Sequence, residues 1–214
     1  MKGITVYHGG TEKIEQPHCK LRRVNLDFGQ GFYVTDLKEQ ALTWAKNMAR
    51  SRKRTPVLNR YTMDRESIVK TYRCKVFTAY DQEWLEFIVA NRQGLNEASK
   101  YDYVEGGVAN DRVVDTVNLY IAGLMEMETA LRELSKHQPN NQMCILNQEI
   151  IMSNRIGAIS IELAKRLDIT PSVALKLFYK SETCENLHDK STGLYLYGDL
   201  YVADEFIREM QDRQ

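Results

Sequence analysis

The chain has 214 residues, 43% of them hydrophobic and 27% charged, with a formal net charge of +0 at pH 7. That is apolar material enough for one generous domain, or for a domain and a small module, and the charge balance excludes a whole-molecule pull toward nucleic acid or acidic membranes. The four scattered cysteines (Cys19, Cys74, Cys144, Cys184) exclude CxxC metal spacing and a disulfide scaffold, and no apolar run reaches the ~18–20 residues of a membrane span.

In chain order, GITVYH (3–8) reads as a short buried strand ending at the turn pair Gly9-Gly10. The N-terminus shows no apolar secretory region, so a cytoplasmic location is expected, or export by a route that leaves no such signal. After a polar stretch to Asp27, FGQGFYVT leads into a second strand over 31–35, and Asp36 is the expected cap of the next helix. Leu37, Ala41, Trp44, Ala45, Met48 and Ala49 share one face of that helix, which dissolves in the basic run Arg50–Arg54 before Pro56. Those cations suit a solvated helix end, favourable against the helix dipole. Residues 57–63 and 68–77 read as strands, and Asp81 opens a helix in which Trp84, Phe87 and Ile88 share a face. YDYVEGGVA (101–109) is a strand with a close approach at Gly106-Gly107, a helix covers 111–135, and NQMCIL (141–146) is a short strand.

From about Ile150 only helices are expected. Thr170-Pro171 is a strong start signal for one of them, and a last helix is expected over 201–211. Acidic residues outnumber basic ones there, which argues against a DNA-reading module. His18 and Cys19 are neighbours, but no second ligand pair accompanies them, so no metal is expected.

Three separated pieces carry chemistry: Tyr7-His8-Gly9, Phe28-Gly29-Gln30-Gly31-Phe32-Tyr33, and an acid or amide on a late strand. In this order they resemble the ADP-ribosyltransferase superfamily, in its diphtheria-toxin and PARP-like branch. There a first strand ends in His-Gly, an FGxGIYF-like segment supplies a tyrosine, and a last strand supplies Glu or a substitute. VYHGG and DFGQGFYVTDLKEQALTWA carry the likeness, and Trp44 falls where a second stacking aromatic is often found. More narrowly, these segments and YDYVEGGVANDRV look like an uncharacterised bacterial family of that clan. The resemblance covers about residues 3–150. It implies an α+β fold: a split two-sheet core over 1–150, followed by a small helical module over 151–214.

The resemblance also implies NAD as co-substrate, without a metal. Cleavage of its N-glycosidic bond passes through an oxocarbenium-like ribose, so both ring systems must be fixed and positive charge stabilised. The catalytic residues it implies are His8, Tyr33 and a third group. His8 would bond ribose hydroxyls on the adenosine side, the Gly9 backbone would pair with the nicotinamide carboxamide, and Tyr33 would stack on nicotinamide with Trp44 as second wall. Gly29 and Gly31 would let the chain turn around the ligand, and Arg22 and Arg23 would meet the pyrophosphate. Gln142, on the best-placed late strand, is the favoured third group. It accepts a hydrogen bond from the ribose 2′-hydroxyl but brings no charge. Glu86 and Asp111 are its rivals, and Asn110 stands beside Asp111 just past a strand end.

The expected activity is mono-ADP-ribosylation of a macromolecule, a protein in preference to a nucleic acid, as a bacterial toxin or effector would perform. Three rivals stand beside it: an NAD glycohydrolase, a weakly catalytic NAD-binding regulator, and an interaction protein of a toxin–antitoxin or defence locus. The helical module would bind the target or an antitoxin.

Overall fold

The computed structural model describes residues 3–19, 24–108 and 111–213. The fold is mixed α+β, with two small sheets and nine α-helices among the described residues. The chain divides into two compact units, Met1–Ile150 and Ile151–Gln214.

In the first unit, β1 (Ile4–Gly10) pairs antiparallel with β3 (Val57–Met63). A second sheet has the order β2-β6-β5-β4, from β2 (Phe32–Val34), β6 (Gln142–Ile145), β5 (Tyr103–Gly106) and β4 (Cys74–Val76). One isolated bridge, Tyr7 to Thr35, joins the two sheets. Because side chains alternate along a strand, the register sorts the second sheet into faces. Tyr33, Cys144, Val104 and Gln142 share one; Phe32, Val34, Met143 and Glu105 share the other. The first face lies on an aromatic core of Phe28, Phe77, Tyr80, Trp84 and Phe87.

Helix α1 (Lys38–Arg52) buries Ala41, Ala45 and Ala49, a stripe at i, i+4, i+8. Its contact with β1 is very close: a Cβ on Gly9 would lie 2.0 Å from the Ala41 carbonyl oxygen. Asp36 does not cap it. The cap is Leu37, whose N–H is received by Thr35 Oγ1 at 3.1 Å.

Residues 68–77, expected as strand, are instead the end of α2 (Arg65–Thr71) and β4. Asp64 accepts the Ser67 N–H, and this local cap outweighs the β-branched composition. Asp81 caps α3 (Gln82–Arg92) by accepting from Trp84 N, and Trp84 is fully buried with Nε1 donating to Gly107 O at 3.0 Å. The helix expected over 111–135 is two, α4 (Asp111–Ile121) and α5 (Met127–Leu134), separated where Gly123 turns at φ +70°.

In the second unit α6 (Gln148–Leu167, begun in the first) continues into α7 (Pro171–Tyr179), α8 (Glu182–His188) and α9 (Asp199–Asp212). Thr170 caps α7 through Val173 N, with Pro171 in its first turn. Ile159, Leu163, Phe178, Leu187, Val202 and Phe206 form the core. Among the described residues no helix is long and apolar enough to cross a membrane.

Candidate active site where the two sheets part

The site forms where β1 leaves β2. Tyr7 exchanges both main-chain hydrogen bonds with Thr35, N to O at 2.7 Å and O from N at 2.9 Å. Gly9, two residues on, directs its N–H and C=O to the same edge, where among the described residues no main-chain group of β2 meets them. Its α-carbon is pressed against α1, so only glycine fits there. Among the described residues this leaves the N–H and C=O of the buried Gly9 without a main-chain partner on the β2 side.

His8 is fastened to β2 through its ring: Nδ1 lies 2.7 Å from Tyr33 O, and the imidazole stacks on Phe32 with centroids 4.8 Å apart. Since the partner is a carbonyl, Nδ1 carries the proton and donates. Burial lowers the His8 pKa below the usual imidazole value, outweighing the opposing effect of that bond. The neutral ring therefore offers Nε2 as an acceptor. Nε2 lies beside Gly10, where even a Cβ would stand 3.5 Å away.

Tyr33 leaves β2 on the face opposite Phe32. Its hydroxyl donates to Gly29 O at 2.6 Å and accepts from Phe28 N at 3.2 Å, which fixes the ring against the glycine turn. Burial raises its pKa, so the phenol stays protonated. His8 and Tyr33 thus meet through an imidazole and a carbonyl, and their rings lie on different faces of β2. The bridge between Tyr7 and Thr35 carries the face count across to β1. By that count α1, over Gly9, stands on the same side as the Tyr33 ring.

Trp44 is 54% exposed. It shares a helix face with Gln40, four residues earlier, and Gln40 Nε2 donates to Asn141 O at 3.3 Å. Trp44 therefore stands on the flank of α1 turned toward the start of β6. Gln142, the next residue on β6, is half-buried, on the Tyr33 face, and no described residue engages its amide.

Other expected residues fall differently. Gly29, at φ +83°, is pressed against Ala98, and a Cβ on Gly31 would meet Cys144 Sγ and Ile145 O at 2.5 Å. The fold itself accounts for both glycines, with no ligand required. Glu86 is on the exposed side of α3, bonded to Gln82 Nε2 at 2.7 Å. Arg22, Arg23 and Asn110 lie outside the described residues, as does the side chain of Asp111, whose main chain opens α4.

Sequence reasoning missed the polar knot at this end of the sheet. Asn141 Nδ2 donates to Glu105 Oε1 at 3.2 Å and to Asp36 Oδ2 at 3.3 Å, and Asn141 O accepts from Thr35 Oγ1 at 2.6 Å. Glu105, 6% exposed, also receives Arg65 Nε at 2.7 Å and the Tyr103 hydroxyl at 2.8 Å. The lone charge of Glu105 within the otherwise uncharged strand YVEG was the one available signal.

Nucleophilic sulfur chemistry finds no support here. Burial pushes the Cys19 thiol up to about 12 and the Cys144 thiol upward as well, so neither holds a thiolate near neutral pH. Among the described residues no group of three or more His, Cys, Asp or Glu could hold a metal ion. A surface cleft of about 670 Å³ lies elsewhere, between Val89 and Gln93 of α3 and the Tyr120–Met127 turn. The basic run lines another of about 400 Å³, with Lys46, Arg50, Lys53 and Arg54 on the flank of α1 away from Trp44.

The class of protein is thus an α+β domain in which two small sheets part beyond the Tyr7–Thr35 bridge, followed by a helical unit. Residues 4–155 match a family described as a protein of unknown function (DUF3990), and the chain belongs to that family. No curated protein and no solved structure matches the chain.

Proposed function

We propose that the chain is a mono-ADP-ribosyltransferase, which cleaves the bond between nicotinamide and ribose in NAD and passes ADP-ribose to a protein acceptor. The observation that carries this reading is the pairing of a neutral, carbonyl-anchored His8 with the unpaired Gly9 edge at the sheet split. A carboxamide presents one donor and one acceptor, which the Gly9 C=O and N–H complement. The nicotinamide ring then lies between Tyr33 and Trp44, and His8 Nε2 accepts a hydroxyl of the adenosine-side ribose. Two small sheets joined at one bridge support a transferase-like split core. In the reaction the C1′–N bond breaks, nicotinamide leaves with the electron pair, and the acceptor's lone pair closes on C1′ while its proton passes to solvent.

Gln142 accepts the 2′-hydroxyl and orients the sugar. As a neutral amide it stabilises an oxocarbenium ion less than a carboxylate would. That same feature favours a second reading, an NAD-binding regulator with little turnover. The exposed, stacked pair Tyr197 and Tyr201, with ring centroids 4.4 Å apart, supports target recognition by the helical unit.

Incubation with adenylate-labelled NAD and a cell lysate tests the proposal. The intact chain should label a protein band, and His8→Ala and Tyr33→Ala should not. Equal labelling by all three would remove this mechanism. Release of free ADP-ribose without labelling would assign a glycohydrolase, and saturable NAD binding without nicotinamide release the regulator.

A further inference from the structure

Among the described residues, one buried side-chain polar atom has no hydrogen-bond partner: Oε1 of Gln40. Gln40 is the third residue of α1, where a glutamine ordinarily turns back to accept the N–H of the capping residue. Here that N–H, from Leu37, is already held by Thr35 Oγ1. The other end of the amide donates to Asn141 O at 3.3 Å, long for such a bond. Exchanging the amide's oxygen and nitrogen gives no remedy, since it would set Oε1 against the Asn141 carbonyl oxygen. An acceptor is left over where α1, β2 and β6 meet, one residue from Gln142 and one helical turn before Trp44.

We infer that Gln40 is a ligand-binding residue whose Oε1 accepts a ribose hydroxyl of the bound nucleotide; the inference rests on the NAD reading above. In that reading Gln142 takes the 2′-hydroxyl of the nicotinamide-side ribose, and a vicinal diol sets the 3′-hydroxyl beside it, toward Gln40. An unsatisfied acceptor selects a donor, so a hydroxyl fits and a phosphate or carboxylate is repelled. The last torsion of glutamine is broad, which lets the amide turn to the ligand and give up its long bond to Asn141.

The test compares binding of NAD and of NAD lacking that 3′-hydroxyl, to the intact chain and to Gln40→Met, which keeps side-chain length without the amide. The intact chain should bind the deoxy analogue about three- to tenfold more weakly, the range of one neutral hydrogen bond. Gln40→Met should bind both ligands equally. Without ligand it should melt close to the intact chain, because it removes an acceptor that had no partner and only the long Nε2 bond to Asn141 O, a carbonyl that keeps the Thr35 hydroxyl. The inference is overturned if the intact chain treats the two ligands alike, or if Gln40→Met still discriminates between them. It is equally overturned if unliganded Gln40→Met melts well below the intact chain, since Oε1 would then already be satisfied, by a bound water for instance. Failure of the intact chain to bind NAD at all overturns the underlying NAD reading as well.

Discussion

Gly9 and Gly10 are adjacent, yet substitution by alanine should affect them in opposite ways. A Cβ on Gly9 would stand 2.0 Å from Ala41 O, 2.9 Å from Ala41 C and 3.0 Å from Ala45 N, all main-chain atoms of α1. To recover an ordinary 3.4 Å contact the helix must withdraw by about 1.4 Å. Overpacking that flexible side chains can relieve costs about 1–3 kcal/mol; a hydrogen-bonded helix yields less, so Gly9→Ala should cost about 3 kcal/mol. At roughly 2–4 °C per kcal/mol for a chain of this size, the melting temperature should fall by about 6–12 °C. At Gly10 the nearest atom is His8 Nε2 at 3.5 Å, an ordinary contact. Gly10→Ala should leave stability unchanged or raise it by about 0.5 kcal/mol through the unfolded chain, while covering Nε2 and weakening NAD binding. Thermal melts of the two variants read the first half, and titration of Gly10→Ala reads the second. A Gly9→Ala protein that melts with the intact chain would refute the packing argument, and with it the close approach of α1 to β1 beside which the site is built.

Tyr33→Phe removes the bond to Gly29 O and leaves Phe28 N without its acceptor, so urea unfolding should show a loss of about 1–2 kcal/mol. Trp44→Ala, at an exposed position, should change stability by no more than about 0.5 kcal/mol yet weaken NAD binding several-fold. The chain has two tryptophans and the other is fully buried, so NAD should quench the fluorescence of the intact chain and leave that of Trp44→Ala unaltered. The lowered His8 pKa means that the unfolded chain binds the proton more readily. Stability is therefore full above the unfolded value near 6.5 and declines as pH falls from there toward the folded pKa. His8→Gln should flatten that slope below about pH 6.5, measured by denaturant midpoints; an unchanged slope would contradict a buried, neutral imidazole.

The contact between His8 and Tyr33 is the part of the candidate site legible in residue order. His-Gly at a strand end and the tyrosine after GQG are local patterns, and the structure joins them by one hydrogen bond, from the His8 ring to the Tyr33 carbonyl. The Thr170-Pro171 helix start and the Asp81 cap were legible for the same reason, since a cap is decided within four residues. Residues 68–77 were misread because Val, Ile and Thr favour strands only where packing does not decide, and a capped turn at Asp64 decided here. Asp36 looked like a cap by type, but the Thr35 hydroxyl reached the helix first. The knot of Asn141, Glu105 and Arg65 could not be seen, because it depends on the register of β5 against β6 and on where α2 stops. The glycines were visible and their reasons were not: Gly29 and Gly31 fit against Ala98 and β6, contacts that chain order does not reveal.

The proposed function requires one dinucleotide cleft at the split between β1 and β2. Equilibrium titration with NAD tests it most directly, on the intact chain, on His8→Ala and on Glu86→Ala, whose exposed carboxylate lies on the outer side of α3. Single-site saturation is expected of the intact chain and of Glu86→Ala with the same affinity, with a weakening of at least about tenfold in a folded His8→Ala. Equal binding by all three proteins, or none by any, would contradict it.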